Sequence, residues 1–336
     1  MKTVNKKCST KLSSHLFRLL SAGCLLGITT FSQAAYPERA ISVVAAYSPG
    51  GSSDIAARTF SQALERQLNT NVVVENKAGA GGIVGTDYVY TSKPDGYKLL
   101  LARVAALSVA PAMQEVPYDP DAFTYLGMIS TDPYTCVTAK DKPYNNIDDL
   151  RTAVVQRPGT LTYSSSGNGT LTQIAAIELL EALGAENPRF AATHIPYTGE
   201  GPALAAVAGG HVDLFCGNLA PIRPQIESGI VRAFFITGDE RVEGLEDIPT
   251  TQDIGLPELE TLVGWSAIVG PPHMDESAKR ILIDAMQGVK TDEQWRQRIK
   301  KLGSIPAVMN PQDTHDFAKK QRTRFNELAD RYNLKF

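Results

Sequence analysis

Short apolar runs alternate with stretches of helical spacing along most of this chain. The run Ile41-Ser42-Val43-Val44-Ala45-Ala46 is too short for a helix and reads as a buried strand. The segment that follows, Ile55 to Leu64, carries apolar residues at helical intervals. The same reasoning places strands at 41–46, 71–75, 98–102, 134–139, 160–163, 191–195, 212–216, 231–236 and 265–270. Helices are expected near 53–67, 83–92, 146–155, 170–183, 202–208 and 219–227. Regular alternation of this kind predicts an α/β fold with parallel sheets. The end of the chain is helical throughout: Thr291-Asp292-Glu293-Gln294 reads as a capping box, and Asn310-Pro311 as the cap and first residue of a helix to about Arg331. There is no internal repeat and no low-complexity tract.

The loops between these elements carry the chemistry. Tyr47-Ser48-Pro49-Gly50-Gly51-Ser52-Ser53-Asp54 joins the first strand to the first helix. Gly50 and Gly51 let a ligand approach the backbone, and the free N–H groups of the helix start favour an anion. A second cradle lies at Ser164, Ser165, Ser166, Gly167, Asn168, Gly169 and Thr170, again ahead of a helix. Helix capping needs one hydroxyl or amide side chain, and five occur here within seven positions. A third turn, Tyr197-Thr198-Gly199-Glu200-Gly201-Pro202, opens a helix with Pro202 at its first position. The ligand expected of these cradles is a small mono- or dicarboxylate; Tyr47, Tyr163 and Tyr197 leave an aromatic carboxylate open, although packing is their ordinary role.

The first 35 residues read as a secretory signal: Lys2, Lys6, Lys7 and Lys11, then a mostly apolar stretch from Leu16 to Phe31, then small residues for cleavage near Ala34 or Ala35. Lipidation at Cys24 is the alternative, weakened by Ser21 where an aliphatic residue is preferred. The whole chain has 33 Lys+Arg and 36 Asp+Glu; the signal takes five of the cations and no acids, leaving a formal charge of −8. That balance argues against nucleic acid as a partner and requires any anion affinity to be local. No later segment has the ~18 apolar residues of a membrane span, so an exported, soluble, periplasmic protein is expected. Cys136 and Cys216 remain after export, free to form a disulfide or to stay buried as thiols.

Enzyme signatures are weak. No Gly-x-Ser-x-Gly elbow occurs, and His194, His211, His273 and His315 lack metal-ligand spacings, so neither metal nor cofactor is expected. Gly79-Ala80-Gly81-Gly82-Ile83-Val84-Gly85 mimics a dinucleotide loop but has Val84 at the third glycine position; a close-packed connection is the better reading. An exported hydrolase using a cleft serine is the rival class, and a scaffold without a small ligand the third, though it leaves the polar cradles unexplained.

Several segments together resemble one family: Tyr36 to Ile41, Pro49 to Arg58, Val72 to Gly82, Lys93 to Leu100, Val116 to Pro120, Ile195-Pro196-Tyr197, Gly210 to Asp213 and Ile248 to Thr251. In number and order they are similar to the Bug-type receptors of tripartite tricarboxylate transporters. The resemblance implies a type II periplasmic-binding-protein fold, with two lobes joined by two crossing strands and the ligand in the cleft between them. It implies lobe 1 at 36–134 plus 238–336, lobe 2 at 135–237, and crossing strands at Tyr134–Ala139 and Val231–Ile236. It further implies a monomer that delivers a small carboxylate (a di- or tricarboxylate, or an aromatic carboxylate) to separate membrane permease subunits. The ligand contacts expected are Tyr47, Ser48, Gly50, Gly51, Ser52, Ser164, Ser165, Ser166, Asn168, Gly169, Thr170, Thr198 and Gly199. Two positions depart from the pattern. Gln173 stands where the family often has His. Arg103 ends a strand where the family has small or polar residues; it either grips a ligand carboxylate or pairs with an acid at the surface.

Overall fold

The computed structural model describes residues 36–238 and 241–335, together with Met1 and Thr3. The expectations of signal cleavage and of lipidation at Cys24 fall outside the described residues. The elements alternate as the sequence pattern predicts. They run β1 (Ile41–Ala45), α1 (Ser52–Leu68), β2 (Val72–Asn76), α2 (Ile83–Tyr90), β3 (Lys98–Arg103), α3 (Ala110–Met113) and β4 (Thr124–Ala139). Next come α4 (Ile147–Gln156), β5 (Leu161–Ser165), α5 (Leu171–Ala182), β6 (Ala192–Pro196), α6 (Glu200–Ala208), β7 (Leu214–Asn218), α7 (Leu219–Glu227) and β8 (Val231–Ile236). The chain closes with β9 (Val263–Gly270), α8 (Glu276–Thr291), α9 (Glu293–Lys301), β10 (Ile305–Pro306) and α10 (Pro311–Arg331).

The strands hydrogen-bond in the order β2-β1-β3-β9-β4-β7-β5-β6, with β8 and β10 both paired to β4. Two parallel triads lie in this sheet, β2-β1-β3 and β6-β5-β7. β4 links them. Its first part, Thr124–Pro133, pairs antiparallel with β9, and its last part, Tyr134–Ala139, pairs with β7 and β8. All nine expected strands are present, but β4 begins ten residues before the expected start, and β10 was not expected.

Parallel strands are covered on both faces, which is why their runs are apolar throughout. In β1, Ile41, Val43 and Ala45 pack with Phe60 and Leu64 of α1, while Val44 on the opposite face joins a second cluster with Leu100. In the other triad, Phe215 packs with Leu204 and Val207 of α6, and Leu214 with Ile174, Ile177 and Leu180 of α5. Two local expectations need correction. The cap of α9 is Asp292, which accepts the Trp295 N–H at 2.9 Å, so Thr291 ends α8 rather than opening a capping box. α6 begins at Glu200, two residues ahead of Pro202. No helix among the described residues is long and apolar enough to cross a membrane.

Cys136 and Cys216 face each other in the β4–β7 register and are joined as a disulfide. The bridge closes a segment that contains most of the second triad, with a sequence separation of 80. On the chain-entropy account a loop of that length contributes about 4 kcal/mol by restricting the unfolded chain. The Cys136→Ser, Cys216→Ser double variant should therefore lose about 2–5 kcal/mol in denaturant unfolding. Equal midpoints with and without the bridge would contradict this.

Candidate functional site

Helix beginnings divide into two kinds. α4, α8, α9 and α10 carry side-chain caps: Asn146, Asp275, Asp292 and Asn310 each accept hydrogen bonds from first-turn N–H groups. α1, α5, α6 and α7 have no side-chain cap, and neither does α2. Residues from the starts of α1, α5, α6 and α7 line one cavity. Each of these helices follows the carboxyl end of a parallel strand, β1, β5, β6 or β7, where open α/β sheets bind ligands. Leaving orphan N–H groups uncapped at a shared cavity gives a local anion preference that the net charge of the chain does not.

The first cradle meets the third turn directly. Ser48 Oγ lies 2.9 Å from Thr198 Oγ1, and the Ser52 N–H donates to Glu200 Oε2 at 3.1 Å. Asn218 Nδ2 donates to Ser52 Oγ at 3.1 Å. A Cβ on Gly51 would stand 3.2 Å from the Gly201 nitrogen and 3.3 Å from Glu200 Cβ. A Cβ on Gly81 would come within 2.6 Å of the Asn168 carbonyl oxygen, and Gly81 has a left-handed φ of 64°. The Gly79–Gly82 segment is thus a close-packed connection, as expected, and it packs against the second cradle as well as its own surroundings. Asp54 holds the first cradle in shape. It accepts the Gly50 N–H at 3.1 Å, Arg58 Nε at 2.9 Å and Asn76 Nδ2 at 3.1 Å. Burial works against the Asp54 carboxylate, but these hydrogen bonds outweigh it and hold its pKa below the usual value.

Three charged side chains lie at or beside the cavity. Arg103, at the end of β3, is only 5% exposed. Its Nη1 donates to Asp132 Oδ2 at 2.8 Å and to Ser266 Oγ, while its Nη2 is buried without a partner. Burial disfavours its charge, yet Asp132 and Glu200 more than compensate, so its pKa stands above the ordinary arginine value. Glu200, 6% exposed, accepts the Asn218 N–H and Nδ2 on Oε1 and the Ser52 N–H on Oε2. Tyr47 and Tyr134 complete the wall. Burial pushes both phenols up, so they remain protonated over the physiological range. Tyr47 donates to the Gly81 carbonyl at 2.7 Å.

Of the residues expected from sequence, Tyr47, Gly51, Ser52, Arg103 and Ser166 line the cavity. Ser48, Thr198 and Gly199 form the contact between the first cradle and the third turn beside it. Gly50 turns the first loop, with φ 82°. The remaining second-cradle residues do not line the cavity. Ser164 Oγ donates to the Ala203 carbonyl at 3.0 Å, Thr170 Oγ1 donates to the Gly167 carbonyl at 2.7 Å, and Asn168 is exposed. Gly169 gives its N–H to Gln173 Oε1 at 2.9 Å, so Gln173 braces this loop. Ser165 Oγ is 2.6 Å from His194 Nε2 and fully buried. Arg103 is paired with an acid, Asp132, as the second alternative has it, but the pair is buried rather than at the surface.

Sequence reasoning missed Ser53, Val104, Ala105, Tyr134, Leu171, Thr172, Glu200 and Asn218 as wall residues. A usable signal existed for two of them. Glu200 begins the helix after the third turn, and Asn218 stands at the strand-to-helix junction of β7 and α7. Among the described residues, no group of three or more His, Cys, Asp or Glu is placed to hold a metal ion.

Comparison with known proteins accords with this architecture. Residues 56–334 match the model of the tripartite tricarboxylate transporter family receptor. A protein of Agrobacterium vitis, encoded in the TAR-I ttuE-ttuC' intergenic region, is 30% identical over 302 residues, which cover 90% of this chain and 86% of that protein. The structure of the periplasmic binding protein BugD superposes with a TM-score of 0.83 at 31% identity, covering 89% of this chain and 99% of BugD. MatC of Rhodopseudomonas palustris, solved with bound malate, has the same fold at 24% identity and a TM-score of 0.79, covering 87% of this chain and 99% of MatC. The fold is that of type II periplasmic binding proteins, two lobes joined by crossing strands, and the chain belongs to the family of tripartite tricarboxylate transporter receptors.

Proposed function

We propose that this receptor captures a small carboxylate, aliphatic or aromatic, in the periplasm, in the cavity between the cradles, and hands it to the membrane permease subunits of a tripartite transporter. Four helix starts without side-chain caps converge on one cavity beside the unpartnered Nη2 of Arg103, and this observation carries the reading. Residues 36–134 with 238–336 act as one lobe and 135–237 as the other, and the protein works as a monomer. Tyr47, Gly51, Ser52, Arg103 and Ser166 touch the ligand, while Ser48, Thr198 and Gly199 seal the cleft around it.

The rival reading, a hydrolase with a cleft serine, has one observation in its favour, the contact between Ser165 and His194. Nothing else there suits a nucleophile. Ser165 is fully buried, His194 Nδ1 faces the Gln173 amide at 3.3 Å rather than a carboxylate, and the ring stacks on Tyr163. Burial lowers the His194 pKa to about 4, so the ring is neutral near pH 7 and serves as packing. The solute-binding character of the relatives points the same way.

A thermal-shift screen of aliphatic and aromatic carboxylates should yield stabilisation without turnover, because binding to the native state raises its stability. Stabilisation by sugars alone, or by no carboxylate, would overturn the reading. Arg103 gives a sharper test with the best stabiliser from that screen. Arg103→Lys keeps a cation for Asp132 but loses the planar fork, so titration calorimetry should find affinity reduced by about 2 kcal/mol or more with the fold retained. Arg103→Ala also strands Asp132 in the interior and should cost about 3–5 kcal/mol of folding stability. Unchanged affinity in Arg103→Lys would return Arg103 to a purely structural role.

A further inference from the structure

The seat that a ligand anion would take at the start of α1 already holds a carboxylate of the chain itself. Glu200 Oε2 accepts the Ser52 N–H at 3.1 Å, and Ser52 is the first residue of α1. Glu200 Oε1 accepts the Asn218 N–H at 3.3 Å and Asn218 Nδ2 at 2.6 Å, and Asn218 is the cap residue of α7. Glu200 is itself the first residue of α6. One carboxylate thus stands where three helix starts meet, a place where helix dipoles favour an anion. The cap position of α1 is Gly51, which has no side chain to accept an N–H. A carboxylate 148 residues away accepts it instead.

Three observations mark this carboxylate as displaceable. Its donors are all neutral, and Arg103, the cation on the same wall, gives its Nη1 to Asp132 and Ser266. With Glu200 in place the cavity leaves about 30 Å³ for the centres of water-sized atoms, room for roughly two waters and too little for a whole carboxylic acid. Ser53 Oγ, next along α1, lines the same cavity at 3% exposure and has no hydrogen-bond partner among the described residues. A donor is therefore left over beside the occupied seat. A second carboxylate arriving next to Glu200 would also be repelled, since like charges interact strongly away from water.

We propose that Glu200 is a built-in competitor for the ligand: its carboxylate occupies the start of α1, and a ligand carboxylate binds by displacing it and taking the Ser52 N–H. This rests on the carboxylate-receptor reading and adds the residue that sets its affinity. While Glu200 holds the seat, apparent affinity falls in proportion to the fraction of molecules in which the seat is free. In the proposed division Ser52 and Glu200 belong to different lobes, so release of this contact is also a step in admitting the ligand.

The probes are succinate, adipate and benzoate. Thermal shift selects the strongest binder among them, and titration calorimetry compares wild type with Glu200→Ala and Glu200→Gln. Glu200→Ala removes the competitor and should bind the probe at least about tenfold more tightly. Glu200→Gln keeps the size and loses the charge, so it should gain by a smaller factor. Truncating a residue that merely shaped the site would weaken binding, so the gain is the discriminating result. Circular dichroism checks that the variants are folded. A crystal structure of the wild-type protein with the same probe decides should they not fold: a probe oxygen should accept the Ser52 N–H, with Glu200 turned away. Affinity unchanged or reduced in both variants, or Glu200 still on Ser52 beside the bound probe, would overturn the role of Glu200 and leave the receptor reading standing. If no probe binds the wild type or either variant, the receptor reading falls and this proposal with it.

Discussion

The first-turn N–H groups of a helix have no partner within the helix and must be satisfied by something else. In this protein α4, α8, α9 and α10 settle the matter locally, with Asn or Asp caps. The helices that open on the cavity do not. For the Ser52 N–H of α1 the partner is the carboxylate of Glu200, at the start of α6. The start of α1 is thus completed by a side chain from the start of α6. The same economy makes the site able to take a ligand anion, since donors not committed to a cap can be offered elsewhere.

Close approach of these loops follows from small residues. Gly51 meets Gly201 and Gly81 meets Gly167, and a Cβ at Gly201 would stand 2.8 Å from the Pro49 carbonyl oxygen. Backbone therefore touches backbone across the cleft. Closure of this kind encloses the cavity with few side chains, and the polar groups that remain on its wall set its chemistry. Arg103 is held there by Asp132 and Ser266, so its guanidinium is pre-organised before any ligand arrives. The Cys136–Cys216 bridge ties β4 to β7, the two strands that place Tyr134 and Asn218 on the wall.

Much of the fold was legible in the chain because its strands are apolar on both faces and its helices amphipathic. What was not legible depends on partners remote in sequence. The first part of β4 contains Gly127, Asp132 and Pro133, residues that read as a turn, and only pairing with β9 makes it a strand. Ser164 and Thr170 carry the right chemistry for a ligand, yet their hydroxyls go to Ala203 and Gly167. Sequence gives the inventory of donors but not their direction. Glu200 went unnoticed because an acid has no obvious place in an anion cradle. Its meaning appears only when Ser52, separated from it by 148 residues, is found at 3.1 Å. Arg103 was visible as a departure from the family pattern, and its burial beside Asp132 was not.

Capture by the proposed two-lobed receptor would draw the lobes together around the ligand, and the distance between them measures this most directly. Val73 and Val155 are exposed, at 53% and 54%, on β2 and on α4, elements of opposite lobes in the proposed division. Spin labels at these positions, with distances read by double electron–electron resonance, should give a broad or longer distribution without ligand and a single shorter one at saturation. In Gly51→Val, whose added side chain would meet Gly201 and Glu200, the short population should shrink at the same ligand concentration. Distributions that coincide with and without saturating ligand in the wild type would contradict closure as the mechanism of capture.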